Sequence, residues 1–441
     1  MGAFLEKPNT EKVLAKGEGG GIKYGVAAMQ GWRMEMEDAH ACHTSFKLSD
    51  STEWNYFGVF DGHAGPKVSQ YCSQNLLDCI KECVADSTKE VVTDEAVKEG
   101  IRKGFLKLDE KLKLDPRWAT GQDRSGTTAI TVMISPHKII WGNCGDSRGL
   151  LCRNGQLFFA TVDHKPYNIV EKNRIEKAGG TVMMQRVNGS LAVSRALGDF
   201  DYKRSVELEA TQQLVSPEPD LTVQDRDLKD QFLLLACDGV YDVMTNEEVV
   251  AYVLNQLQLK EDLSQICSDL IDLCLNKNSR DNMSVVLVTF PGAPQVSQEA
   301  IDQDRILQQQ TQEEIDKQLK QMVVQAKDPL ELEDAHVVQE LITLFNGRPE
   351  VISKHQYIVD KLTELRKEKF PAPSDEDFCL SDNPNPPPSF SNFGSGPGAD
   401  DMETDAADSD RIPTWDSDGR FDVSKTEASN NKNLGEKSTK S

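Results

Sequence analysis

Four aspartates share one local setting. Asp61, Asp146, Asp238 and Asp281 each border an apolar stretch, and each sits in a turn rich in Gly, Ser or Asn: Phe60-Asp61-Gly62-His63, Gly145-Asp146-Ser147, Cys237-Asp238-Gly239 and Arg280-Asp281-Asn282. Asp is short and poor in strands. Turn chemistry accounts for any one of these residues, but less well for all of them together with Glu37 and Asp38. Like charges gathered at one sheet end repel unless a cation joins them. All-oxygen ligation selects a hard ion, Mg²⁺ or Mn²⁺, over zinc or copper. Several carboxylates suit a two-metal centre, with ions about 3.5–4 Å apart around a water of lowered pKa, an arrangement that serves phosphoryl chemistry. Arg33 fits such a site as a phosphate anchor, because its planar fork pairs phosphate oxygens bidentately. His63, two residues from Asp61, is placed to protonate a departing alkoxide. The plainer reading of His63 is a hydrogen-bonding residue at a helix start.

These groups need rigid elements to bring them together. Ile22–Gln30 alternates as a strand, and Tyr56–Phe60 climbs as a buried one up to Asp61. Val68, Tyr71, Cys72, Leu76, Cys79, Ile80 and Cys83 repeat at helical spacing, as do Val97, Ile101, Phe105, Leu108 and Leu112. Strands follow at 127–134 and 139–144. A hairpin is expected across Arg153-Asn154-Gly155 between 149–152 and 156–161. Residues 163–200 are polar, with one helical pattern near 169–178, and read as an excursion from the sheet. A strand over 231–237 stops at Asp238, helices are expected over 247–257 and 263–275, and 283–290 is the last strand. Residues 1–21, ending in Gly17-Glu18-Gly19-Gly20-Gly21, read as a flexible lead-in without the Lys-Ser/Thr of a phosphate loop.

The segmentation is therefore a flexible N-terminus (1–21), a catalytic domain (22–292), a helical region (296–370) and an acidic tail (371–441). Breaks at Asp328-Pro329 and Arg348-Pro349 divide the helical region into three helices. The tail carries fifteen acidic and six basic residues and too little apolar content to pack. Within the 441 residues, net charge −23 argues against a nucleic-acid binder. No apolar run reaches membrane-spanning length. Ten cysteines without a CxxC pair suggest reduced thiols and a cytoplasmic, also nuclear, setting. Cys72, Cys79 and Cys83 share an apolar helical stripe and read as core. Gly2 is the residue that N-myristoylation needs, but Glu6 stands where the simple pattern wants Ser or Thr. One acyl chain would give weak membrane association only; an ordinary terminus is the competing reading.

Glu37-Asp38, Phe60-Asp61-Gly62-His63-Ala64-Gly65, Ser125-Gly126-Thr127-Thr128-Ala129, Asn143-Cys144-Gly145-Asp146-Ser147-Arg148, Leu191–Asp199, Ala236-Cys237-Asp238-Gly239 and Asp281-Asn282 follow one another in an order that resembles the type 2C metal-dependent serine/threonine protein phosphatases. Each string alone is weak; the ordered set, over about residues 22–290, is specific. The helical extension resembles the animal alpha/beta branch. The resemblance implies an α+β fold, an α-β-β-α sandwich of two mainly antiparallel sheets flanked by helices. It implies that Asp61 bridges two Mg²⁺ or Mn²⁺ ions. Asp238 and Asp281 would complete one site. The Gly62 carbonyl, with Glu37 through water, would complete the other. Asp38 would orient the attacking water, and Asp146 with Asp238 would hold a weaker third ion. Arg33 would bind phosphate, His63 would protonate the leaving oxygen, and Arg186, in the substrate-facing excursion, would contact a phosphopeptide. The implied activity is hydrolysis of phosphoserine and phosphothreonine proteins by a monomer, with no phosphoenzyme.

Two rivals differ in class. Cys274-Leu275-Asn276-Lys277-Asn278-Ser279-Arg280 has the C-x5-R spacing of a cysteine phosphatase, but Cys274 falls in register with Ile266, Leu270 and Ile271 on a helix face and the loop holds no Gly. The other is a signalling adaptor that docks through 296–370 and the tail, with Ser374 as a candidate phosphosite.

Overall fold

The computed structural model describes residues 4–48, 52–87 and 93–371. Two antiparallel sheets lie at its centre. The first runs Phe4–Gly19, Ile22–Arg33, Met283–Thr289, Asp230–Ala236, Arg148–Arg153 and Gln156–Ala160 in spatial order. The second runs Asp220–Asp225, Lys138–Cys144, Ala129–Ile134, Glu53–Phe60 and Ala39–Lys47.

The strands read as continuous apolar runs because both of their faces are buried. Side chains alternate along a strand, so one residue set points between the sheets and the next points outward. Phe57, Val59, Ile130, Val132, Trp141, Leu233, Leu235, Val286 and Val288 fill the space between the sheets. Outward from the first sheet, Phe232, Leu234, Val285 and Leu287 pack on the helices Asn246–Leu259 and Leu263–Asn276. Outward from the second, Tyr56, Phe60, Ala129 and Met133 pack on Lys67–Ser87 and Asp94–Leu114. Three apolar layers between four tiers give the α-β-β-α sandwich that the motifs implied.

The N-terminus corrects an expectation. Phe4–Gly19 is not a flexible lead-in but an edge strand paired with Ile22–Arg33. Gly19 faces Ile22, and Gly20 and Gly21 both have positive φ, +58° and +73°, as a tight two-residue hairpin turn requires. The strand is polar because ladder hydrogen bonds and ion pairs, Lys12–Asp272 at 2.8 Å and Lys16–Asp262 at 2.6 Å, secure it rather than burial. Gly2 and Ser374 lie outside the described residues.

Two polar strands also escape the apolar pattern, Ala39–Lys47 and Asp220–Asp225, both on edges of the second sheet. The 163–200 excursion holds the helix Ile169–Lys177 and a small hairpin, Val182–Met183 with Arg186–Val187. Beyond the sandwich, Gln298–Gln325, Asp334–Leu344 and His355–Lys369 form the three expected helices, with a short extra turn at Pro349–Ile352. Ile315, Leu319, Leu341, Ile358 and Leu362 make their core, while Ile342 and Ile352 reach the outer layer of the first sheet. No helix among the described residues is long and apolar enough to cross a membrane.

Candidate metal centre

The antiparallel registers bring every candidate carboxylate to one end of the sandwich. Asp61 follows Glu53–Phe60, Asp238 follows the strand ending at Ala236, Asp281 precedes Met283–Thr289, and Asp146 links Lys138–Cys144 to Arg148–Arg153. Asp61, Asp146 and Asp238 each offer an oxygen within 4.8 Å of the others'. Asp38, Asp61 and Cys237 form a second such group, so Asp61 is shared.

Hydrogen bonds fix the backbone around these acids. The Asp61 carbonyl accepts from Thr128 N at 2.9 Å and Thr127 Oγ1 at 3.0 Å, and Thr128 Oγ1 meets Ser147 Oγ at 2.7 Å beside Asp146. Asn282 draws in the Glu37 loop, accepting from Glu37 N at 2.8 Å and donating to Gln30 O and Glu35 O at 2.8 and 3.0 Å. Gly65 N donates to Glu37 Oε1 at 2.6 Å. The Glu37 carbonyl also accepts from Ser69 Oγ. A Cβ on Gly62 would stand 2.2 Å from that carbonyl, so only glycine lets the chain pass there with its own carbonyl beside Asp61.

Arg33 closes one side of the cluster. Its Nη2 donates to Asp281 Oδ2 at 2.6 Å, and Nη1 lies 3.7 Å from Glu37 Oε2. The guanidinium remains about a third exposed, at the mouth of the site. Burial acts to lower its pKa, but Asp281, then Glu37 and Asp61, outweigh it. On the opposite side Lys165 Nζ meets Asp146 Oδ2 at 2.5 Å.

The electrostatics call for a cation. Burial first, then repulsion from Asp238, Asp38, Asp146 and Asp281, raises the Asp61 pKa well above the carboxylate range. Asp238 is raised in the same way, by burial and then Asp146 and Asp281. Asp38 is pushed up to about 7 by burial, with Ser284 and Cys237 opposing and Asp281 and Glu37 adding to the rise. Neither oxygen of Asp38 has a hydrogen bond of good geometry, although both are sealed from solvent. Orphaned buried carboxylate oxygens facing other carboxylates are the signature of a metal site. Burial raises the Cys237 thiol well above its ordinary value; every other donor in the two ligand groups is a carboxylate oxygen, a set that suits a hard divalent ion.

His63 reaches the site through a three-stranded ribbon, Leu197–Gly198 beside Gly126–Thr127 beside Gly62–His63. Its Nε2 meets Asp199 Oδ2 at 2.7 Å. Burial lowers the His63 pKa, but the charge and hydrogen bond of Asp199 prevail and raise it. Asp199, Lys165, Cys237 and Asn282 had no assigned role in the sequence reading. Asp199, Cys237 and Asn282 lie within the motif strings Leu191–Asp199, Ala236-Cys237-Asp238-Gly239 and Asp281-Asn282, whereas Lys165 lies in none.

Arg186 is not brought to the carboxylates. It is exposed on the small hairpin, donating to Ser190 O at 2.7 Å. Cys274 is buried on the inner face of Leu263–Asn276 against Met244, and burial pushes its thiol up to about 12, which removes it as a nucleophile.

Comparison with known proteins agrees with this geometry. Residues 22–283 match the model of "Protein phosphatase 2C", and residues 284–360 match "Protein serine/threonine phosphatase 2C, C-terminal domain". Protein phosphatase 1A of Bos taurus is 51% identical over 324 residues, covering 72% of this chain and 85% of its own. Protein phosphatase 1B of Mus musculus is 53% identical over 310 residues, covering 69% and 79%. A phosphatase crystal structure from Toxoplasma gondii superposes with a TM-score of 0.53 at 29% identity, over 64% of this chain and 96% of that one. A carboxylate cluster able to hold cations and these matches along most of the chain lead to one conclusion: the chain belongs to the metal-dependent protein phosphatase 2C family, in its animal alpha/beta-like branch.

Proposed function

We propose that the chain hydrolyses phosphoserine and phosphothreonine in proteins in one displacement at the Asp61 cluster, using two Mg²⁺ or Mn²⁺ ions and forming no phosphoenzyme. The observation that carries this is the sharing of Asp61 between two ligand groups at one sheet end, with Arg33 and His63 flanking it. Asp61, Asp238 and Asp281, the Gly62 carbonyl and Glu37 would hold the two ions, and Asp146 with Asp238 a weaker third. When bound, such ions lower the pKa of water and neutralise phosphoryl charge. Arg33, steadied by Asp281, orients the phosphate through its remaining N–H groups. Asp38, buried and without a hydrogen bond of good geometry, orients the attacking water. His63 gives a proton to the departing serine or threonine oxygen. Arg186, on the exposed hairpin, binds the flanking peptide.

The nine described cysteines are free thiols, which favours a reducing compartment, cytoplasmic and nuclear. The test is release of phosphate from a phosphothreonine peptide by wild type, Asp238→Asn and His63→Gln, each with Mn²⁺ and with EDTA. Activity is expected only with metal, falling by about 10²-fold or more in either variant. Phosphate release in EDTA, or an unimpaired Asp238→Asn, would overturn the mechanism.

A further inference from the structure

His63 and Asp199 meet because their strands share one neighbour. His63 and Gly198 both face Gly126, from opposite sides of the ribbon. A Cβ on Gly126 would stand 2.5 Å from His63 Nε2 and 2.3 Å from Asp199 Oδ2, so the glycine is the gap through which the two side chains touch. Asp199 is 4% exposed and holds a left-handed backbone at φ +51°, which a non-glycine residue adopts only where its surroundings impose it.

Those surroundings are rigid. Gly198 N donates to Asp109 Oδ1 at 2.8 Å, and Lys203 Nζ donates to the same oxygen at 2.7 Å and to Ala196 O at 2.8 Å. Asp109 and Lys203 are themselves buried. The turn bearing Asp199 is thus bolted to the Asp94–Leu114 helix on both sides of the residue.

We infer that Asp199 is a positioning residue for the phosphatase reaction: it commits His63 Nε2, so the proton for the leaving oxygen is delivered from Nδ1. This rests on the proposed acid role of His63. Nδ1 has no protein partner among the described residues, and the ring is about a quarter exposed, open toward solvent. As water's oxygen bonds to phosphorus and the ester P–O bond breaks, the Nδ1 proton passes to the departing oxygen. His63 thus begins as the imidazolium, with both nitrogens protonated, and is left neutral with Nε2–H still donated to Asp199; the proton lost by the attacking water restores the imidazolium. Without Asp199 the ring is free to rotate and either nitrogen can face the wrong way.

Leaving-group dependence separates this role from a structural one. An alkoxide needs a proton, whereas nitrophenolate departs without one. Wild type, Asp199→Asn, His63→Gln and the double variant are assayed at saturating Mn²⁺ on a phosphoserine peptide and on p-nitrophenyl phosphate. Asp199→Asn is expected to lose about 10- to 100-fold in kcat on the peptide, with KM within about threefold, and less than about threefold on the aryl ester. The double variant is expected to be no slower than His63→Gln, because both act on one proton transfer. Equal losses of Asp199→Asn on both substrates, or none on either, would overturn the inference. If His63→Gln shows the selective loss and Asp199→Asn does not, only this inference falls. If His63→Gln lacks it as well, the acid role falls first and takes the inference with it.

Discussion

Gly62→Ala adds one methyl group to the chain between Asp61 and His63, and the structure states what it meets. The new Cβ would lie 2.2 Å from the Glu37 carbonyl oxygen and 2.9 Å from Ser69 Oγ. Ordinary van der Waals contact begins near 3.4 Å, so the two backbones must part by about 1.2 Å. The Glu37 side cannot retreat freely, because Asn282 holds its N–H at 2.8 Å and Ser69 holds its carbonyl. The displacement therefore falls on the Asp61–His63 segment, which carries the proposed central ligand and the proposed acid. Overpacking of this kind costs about 1–3 kcal/mol. At about 2–4 °C per kcal/mol for a domain of this size, Tm should drop by several degrees. A misplacement of about 1 Å at a reacting centre costs on the order of 10²-fold in rate. Phosphopeptide kcat at saturating Mn²⁺, with Tm measured in parallel, checks both figures. A variant with kcat within threefold of wild type and an unchanged Tm would refute the packing argument for Gly62.

Two further perturbations test the frame around the site. Glu171 is buried between Arg174, Arg195 and Ser194; burial raises its pKa, but these partners hold it at about 2, below the ordinary 4.5. A depressed carboxyl stabilises the fold above pH 4.5 and loses that contribution as pH falls toward 2. Glu171→Gln should therefore cost up to about 3 kcal/mol near neutrality, with the gap from wild type closing between pH 4.5 and 2 in urea titrations. Deleting residues 1–19 should lower Tm and promote association seen by light scattering, because it strips the cover from Ile22–Arg33 and leaves an open sheet edge. An N-terminal deletion that left both readings unchanged would contradict the strand's role.

Apolar strands and amphipathic helices were legible from period alone, because burial on both faces of the sheets and on one face of each helix dictates residue type there. Phe57 and Val59, or Leu233 and Leu235, announce a core whichever face they occupy. Phe4–Gly19, Ala39–Lys47 and Asp220–Asp225 were not legible. Edge strands hold by backbone pairing, and pairing leaves no mark on side-chain pattern. The glycines before Ile22 did carry the hairpin signal, but a glycine run reads equally as slack chain. At the site, the acids beside strand ends stood out as a repeated anomaly. Asp199 did not, since its role depends on Gly126 bringing two distant turns together, a juxtaposition only the ribbon's register reveals. Lys165 likewise became visible only when the fold set it on Asp146.

The central claim is that the Asp61 cluster holds divalent cations and that hydrolysis requires them there. Metal-stripped protein titrated with Mn²⁺, with bound ion read by electron paramagnetic resonance and phosphate release from a phosphothreonine peptide read in the same samples, tests it directly. Activity should rise from zero in step with occupancy, and Asp61→Asn should lose both binding and turnover. Hydrolysis in the stripped protein, or Mn²⁺ binding unaltered in Asp61→Asn, would contradict the account.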